Sequence, residues 1–170
     1  MGFLDSISTA KENPLTVLLT DFQAQCTFRS MGLLQTYIND DQRAVFTLND
    51  VTLHGLVPGN PAASMAMPEL HVTKSGCHVL AFESQFSHEE TGLMPRAEKL
   101  VLYTSHYAIQ ASFHMGTDAN ISDFAATSKV MFLGGTDAYI FPLFQPQAAI
   151  VQQAPLVFVH QQQVYMHHEA

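Results

Sequence analysis

The chain of 170 residues carries 13% charged residues against 47% hydrophobic ones, a balance that excludes disorder over most of its length. Seven Lys and Arg against fifteen Asp and Glu give a formal net charge of −8, and such a field repels nucleic-acid phosphates and anionic membrane surfaces. Two cysteines are too few for a disulfide scaffold. No secretory leader and no bilayer-length apolar run is recognised. The sequence predicts a folded cytoplasmic protein with free thiols and no membrane association.

The first predicted element lies in the stretch GFLDSISTA. Its apolar residues Phe3, Leu4 and Ile7 share one face of a helix. We therefore expect a short N-terminal helical segment over residues 1–13, ahead of the first strand.

Two parts of the chain repeat the same order of features. The stretch PLTVLLTDFQAQCTF runs parallel to KLVLYTSHYAIQASF, and NPAASMAMPELHV runs parallel to QPQAAIVQQAPLVFV. Sequence identity is low, but the order holds across nearly the whole chain, which indicates an internal duplication. The matched pairs include Phe28 with Phe113, Phe46 with Phe132, Asp50 with Asp137, and Glu83 with Glu169.

The duplication defines the domain boundaries. The stretch ESQFSHEETGLMPRAE is polar and contains Gly and Pro, which is typical of a linker. The first copy is predicted over residues 14–86, the linker over 87–97 and the second copy over 98–170.

Each copy is rich in short strand patterns. LTVLLT is apolar and FQAQCTF alternates, and AVFTL, VTLHGL, ELHVT and HVLAFE follow, separated by the turn-forming stretches ND, VPGNP and KSG. About five short strands per copy predict a small sandwich or barrel.

The stretches AVFTLNDVTLHG and ELHVTKSGCHVLAFE resemble the small five-stranded barrel of Sm and LSm (Hfq-like) proteins. In that family a strand ending in an Asp-rich turn leads to a second strand, and a short closing pair completes the barrel. VFVHQQQVYMHHE has the same shape in the second copy. The resemblance implies a mainly β fold of two tandem Sm-like five-stranded barrels.

The resemblance also implies single-stranded RNA binding. Asn39 and Asp40 are the counterparts of the family's base pocket, Lys74 stands where the family has an Arg, and His160 stands there in the second copy. A groove for single strands needs positive charge and aromatic platforms, whereas this chain is acidic in both halves. RNA or small-ligand binding is therefore kept as the alternative function, and nucleic acid is not the expected partner.

The histidines and cysteines are the candidate metal ligands and nucleophiles of the sequence. His167 and His168 are adjacent, so on a strand they point to opposite faces and cannot chelate one ion without a bend. Neither HxH nor HExxH occurs, and surface or edge-strand histidines are expected instead. Cys77 lies beside His78, but the local sequence supplies no orienting group and no oxyanion site. The sequence predicts no metal site, no cofactor and no enzymatic activity.

The segments NPAASMAMPEL and QPQAAIVQQAPLV contain small, flexible apolar residues that suit burial against another surface. An alternative is that each segment covers its own barrel. The functional prediction is a non-enzymatic assembly or regulatory module that binds protein partners or itself through barrel edges, as a homodimer or higher oligomer. The expected contact residues are Met65, Met67, Ala148, Ile150 and Val151.

Overall fold

The computed structural model describes residues 9–170, which form ten antiparallel strands in a single sheet. The sheet is open, and its strand order is β10-β6-β7-β8-β9-β5-β1-β2-β3-β4. The predicted mainly β class is confirmed, whereas closure into two separate five-stranded barrels is not, because residues 9–170 form one open sheet. The strands are β1 (Lys11–Leu19), β2 (Phe22–Ser30), β3 (Val45–Gly55), β4 (Met65–Thr73), β5 (Cys77–Phe82), β6 (Arg96–Tyr103), β7 (Tyr107–Met115), β8 (Phe132–Pro142), β9 (Gln153–His160) and β10 (Met166–Glu169).

Helices are short throughout residues 9–170. They are α1 (Leu34–Ile38), α2 (His88–Thr91), α3 (Phe124–Thr127) and two 3₁₀ turns, Lys74–Gly76 and Gln161–Gln163. None of them is long and apolar enough to cross a membrane.

The predicted N-terminal helical segment lies largely outside the described residues. Its last residues, 11–13, belong to β1, because they pair with the end of β2, where Lys11 faces Ser30. The predicted linker contains α2, which begins with a capping box between Ser87 and Glu90.

The two halves of the chain repeat one strand order. The first half runs β5-β1-β2-β3-β4 across the sheet, and the second runs β10-β6-β7-β8-β9. In both halves a short helix precedes the third strand and a 3₁₀ turn joins the fourth strand to the fifth. The halves are joined side by side, because β9 of the second half pairs with β5 of the first.

A strand irregularity recurs at the same place in both halves. Asp50 on β3 and Asp137 on β8 are the two non-glycine residues in 9–170 with a left-handed backbone, at φ 50° and 53°. Opposite each of them the register shifts, between Gln25 and Thr27 in one half and between Gln110 and Ser112 in the other. Asp tolerates this conformation better than most residues. These bulges fix how the two halves correspond.

The bulges correct one predicted match. Counted back from Asp50 and Asp137, the counterpart of Phe46 is Leu133, and Phe132 corresponds to Val45. Phe132 instead points into the core of the first half, where its ring lies 5.7 Å from that of Phe46. The predicted equivalence of Phe46 and Phe132 is therefore wrong by one residue, and a one-residue slip exchanges the two faces of a strand.

Two hydrophobic cores lie on opposite faces of the central strands. Every residue of β5 is buried. Val79 and Ala81 contribute to the core of the second half, while Leu80 and Phe82 contribute to the core of the first. A strand that is covered on both faces has a continuous apolar sequence, and CHVLAF is nearly continuous in this sense. The junction of the halves is therefore part of both cores.

Candidate functional site

The junction between β9 and β5 is the main contact between the two halves. Leu80 faces Phe158 and Phe82 faces Leu156 across the antiparallel pair. All four side chains are buried in the core of the first half. Both strands also use their opposite edges within their own halves, so the junction joins the outer strand of one repeat to the outer strand of the other.

The backbone groups at this junction alternate in a defined way. Glu83 donates its N–H to Pro14 O at 3.5 Å and Gln161 donates to Met131 O at 2.8 Å. In an antiparallel pair the bonded positions alternate with unbonded ones. Phe82 and Phe158 therefore direct their N–H and C=O groups across the junction, toward each other's strand.

Strand β4 is the counterpart of β9, but its outer edge pairs with no other strand of residues 9–170. The repeat aligns Glu69 with Leu156 and His71 with Phe158. Both polar side chains are exposed, and His71 Nε2 lies 3.0 Å from Glu69 Oε1. Lys74 N donates to Ala44 O, so alternation directs the backbone groups of His71 away from β3. The β4 edge, defined as residues 69–72, offers the hydrogen-bonding pattern of β9 with a polar surface.

Strand β10 is the counterpart of β5, and in the described part of the chain its outer edge is also unpaired. Phe82 pairs with Leu15 in the first half, and Glu169 pairs with the equivalent Leu100 in the second. By the same register His167 corresponds to Leu80. Ala170 N donates to Lys99 O at 3.0 Å, so the backbone groups of His167 and Glu169 point away from β6. The β10 edge is defined as residues 166–169.

The predicted contact residues take different positions. Met65 is exposed on β4, and Met67 is half-buried against the first core. Ile150 is buried in the second core, and Ala148 and Val151 pack against that core. The chain itself covers Ile150 and partly covers Ala148 and Val151, as the alternative expects of the second segment.

The segment around Ile150 also ties the halves together. The Gln23 side chain donates to Ala149 O at 3.2 Å and accepts from Val151 N at 2.9 Å. The segment around Ile150, in the second half, thus contacts the first half of the same chain.

Three residues predicted to bind a ligand or RNA come together at one end of the junction. Asn39, Lys74 and His160 line a cavity of about 370 Å³ between the two halves. Asp40 lies next to it and contributes its carbonyl oxygen to Lys74. The exposed Lys129 also lines this cavity.

The polar groups of this cavity are already engaged. Lys74 is buried, and its Nζ donates to Ile38 O at 2.9 Å and to Asp40 O at 2.7 Å. Burial lowers the pKa of Lys74 and of His160. Asn39 Oδ1 accepts from Phe132 N at 2.7 Å. The arrangement holds the loop after α1 in place and leaves these groups few bonds to offer a ligand.

The two thiols are buried in the first core. Burial raises the pKa of both Cys26 and Cys77 to about 12. A thiol with such a pKa is almost entirely protonated at neutral pH and is a poor nucleophile.

Metal-binding residues are separated within one chain. Residues 9–170 contain no group of three or more His, Cys, Asp or Glu side chains placed to hold an ion. The pair Glu69 and His71 lies at one edge of the sheet, and the pair His167 and Glu169 lies at the other.

Comparison with models of known protein families, with curated proteins and with solved structures gives no match. The two edges were missed in the sequence because matching the repeats placed Glu169 opposite Glu83, one residue away from its structural counterpart Phe82. Alignment on the left-handed Asp50 and Asp137 is the signal that identifies them.

Proposed function

We propose that this chain is a non-enzymatic cytoplasmic assembly module in which two Sm-like repeats arose by duplication and copies join through their free sheet edges. The observation that supports this proposal most is the β9–β5 junction. It joins a fourth strand of one repeat to a fifth strand of the other. Within residues 9–170 the sheet ends in one unpaired strand of each kind, β4 and β10.

Because the two edges are of different kinds, one mode of assembly is favoured. β4 of one copy would pair with β10 of the next, so the contact is head-to-tail and uses two different surfaces. Such a contact repeats until it closes into a ring or continues as a filament. Sheet edges are also common sites for pairing with a strand from a different protein, so a protein partner can occupy either edge.

The register of the junction gives the register of the proposed contact. Val79 faces Val159 within the chain, and the equivalent pair between chains is Met166 with Val72. The other equivalent pairs are His167 with His71, His168 with Leu70, and Glu169 with Glu69.

Light scattering coupled to size exclusion tests this function. Over a micromolar concentration series, with and without divalent cations, we expect at least one condition to give masses of two or more times the 18.8 kDa chain. A monomer under every one of these conditions would contradict self-assembly.

Single-stranded RNA or small-ligand binding at the cavity of Asn39, Lys74 and His160 is the alternative. It is supported by the convergence of these residues, but the hydrogen bonds of Lys74 and Asn39 within the chain favour assembly instead.

A further inference from the structure

The free edges differ from the internal junction in one respect. At the junction the four side chains on the shared face are the apolar Leu80, Phe82, Leu156 and Phe158. At the free edges the equivalent residues are two histidines and two glutamates. A contact built on the same register would bring these four polar side chains together where the junction has a hydrophobic cluster.

The register places the four groups at the corners of a small rectangle. His71 and His167 face each other, and Glu69 and Glu169 face each other. Directly opposed residues in an antiparallel pair have Cβ atoms about 5 Å apart, and residues two apart on a strand share a face. His71 Nε2 already reaches Glu69 Oε1 at 3.0 Å, so these side chains converge on the space between the corners.

Without a counter-ion this arrangement opposes two carboxylates directly, which is unfavourable. Two imidazoles and two carboxylates are, however, a ligand set suited to zinc. We propose that the β4 and β10 edges form an interchain zinc site from Glu69 and His71 of one copy and His167 and Glu169 of the next. The site rests on the proposed head-to-tail assembly and is incomplete in a single chain.

Each imidazole is oriented by a contact between one of its nitrogens and an oxygen outside the proposed site. His71 Nδ1 lies 3.2 Å from the Thr47 hydroxyl, and His167 Nε2 lies 2.8 Å from Ile121 O. A hydrogen bond from one ring nitrogen to an oxygen fixes the tautomer and frees the other nitrogen to bind a metal. The other nitrogen of each ring is His71 Nε2, which faces the Glu69 carboxylate, and His167 Nδ1.

The neighbouring charged and imidazole groups are engaged elsewhere. Arg96 shares the cavity beside His167, but its guanidinium bonds Glu98 and the carbonyls of Thr117 and Ala119. His168 Nε2 lies 3.1 Å from the Tyr103 hydroxyl. The two strands thus offer one His and one Glu each to the shared face.

Zinc titration followed by light scattering tests the site. The wild-type chain should be monomeric in chelator and should assemble on addition of zinc chloride, reversibly. His71→Leu and His167→Leu should each raise the zinc concentration needed for half-maximal assembly by more than about tenfold, since loss of an outer-shell partner alone costs 10 to 100-fold. His88→Ala, on exposed α2, is the matched control and should behave as wild type.

A fourfold variant separates this inference from the proposed function. Glu69→Leu, His71→Phe, His167→Leu and Glu169→Phe together copy the apolar junction onto the free edges. This variant should assemble in chelator. If the fourfold variant assembles while the wild-type chain stays monomeric in zinc, the zinc site is wrong and the proposed edge pairing is supported. If both remain monomeric with and without zinc, both proposals are wrong. If zinc assembles wild type and the two leucine variants equally, the metal binds elsewhere and the site is overturned.

Discussion

His78 of the first half is hydrogen-bonded to Thr104 of the second, with Nδ1 lying 3.1 Å from the threonine hydroxyl. Its other nitrogen lies 3.1 Å from the Thr20 hydroxyl. The ring is buried and packs against His106 and Tyr107. His78 therefore acts as a polar bridge within the junction of the two halves.

This bridge predicts a loss of stability in mild acid. Burial, with smaller contributions from His106 and His160, lowers the pKa of His78 to about 4 from 6.5. A depressed histidine pKa means that the unfolded chain takes up the proton first. The stabilising contribution of the neutral His78 ring is complete above pH 6.5 and is lost as the pH falls toward 4. Between pH 7 and pH 5 the loss is about 2 kcal/mol.

Urea unfolding at both pH values measures this effect, with His78→Gln as the comparison. The variant should be less stable at pH 7 but should lose less stability than wild type on going to pH 5. Equal losses in the two proteins would show that His78 does not titrate on unfolding.

Gly55, at the end of β3, is predicted to be intolerant of a side chain. A Cβ atom there would lie 2.3 Å from the backbone oxygen of Ala62, which also accepts the Gly55 N–H. Gly55→Ala should therefore lower stability by about 1–3 kcal/mol, since the backbone must move. Gly116→Ala is the control, because nothing lies within 4 Å of its Cβ position. Thermal unfolding that gives the same midpoint for both variants would contradict the assigned close contact.

The head-to-tail mode predicts an unusual result on mixing. His71→Pro removes an outward N–H from the β4 edge, and His167→Pro removes one from the β10 edge. In zinc each variant alone should remain monomeric. An equal mixture should form a dimer and go no further, because each variant retains one working edge. Substitution of these residues also removes zinc ligands, so the mixture is best repeated in the apolar-edge background, with proline at the same positions. Larger assemblies of either single variant would contradict the mode.

The acidic charge and the engagement of Lys74 predict weak binding to RNA. Fluorescence anisotropy with oligo-U and oligo-A at physiological salt should give dissociation constants no tighter than about 1–100 µM, the range of non-specific contacts. Saturable tight binding that is lost in Lys129→Ala, at the cavity mouth, would favour the alternative function instead.

Part of this architecture could be predicted from the sequence. The repeat was visible because Phe28 and Phe113 fall at equivalent core positions, and both are fully buried. Strand propensity and turn residues gave the mainly β class. The register on either side of Asp50 could not be predicted, because a bulge inserts an unpaired residue and few identities remain to fix the alignment.

The order of the strands across the junction could not be predicted from the sequence either. β9 and β5 lie far apart in the chain, and nothing local to CHVLAF or PLVFV identifies which strand covers each edge. Their continuous apolar character does indicate burial on both faces. The polar edge residues can be interpreted only when their apolar counterparts in the other half are known. These edge residues are Glu69, His71, His167 and Glu169.

Disulfide trapping of Val72 with Met166 tests the proposed contact most directly. The register pairs these two residues across neighbouring chains at a position without backbone hydrogen bonds, where Cβ atoms come closest and a disulfide fits. The doubly substituted chain, Val72→Cys with Met166→Cys, leaves all four proposed zinc ligands intact. Native Cys26 and Cys77 are buried. Val72→Cys with Tyr165→Cys is the control, since Tyr165 lies one residue before β10 and the register does not place it opposite Val72.

Mild oxidation in zinc, followed by a non-reducing gel, should give a ladder of covalently joined chains for Val72→Cys with Met166→Cys. The control pair and each single cysteine variant should give at most a trace of dimer. A ladder from the first pair alone is the result expected from head-to-tail pairing of β4 with β10. Absence of the ladder, or equal dimer from Val72→Cys alone, would contradict it.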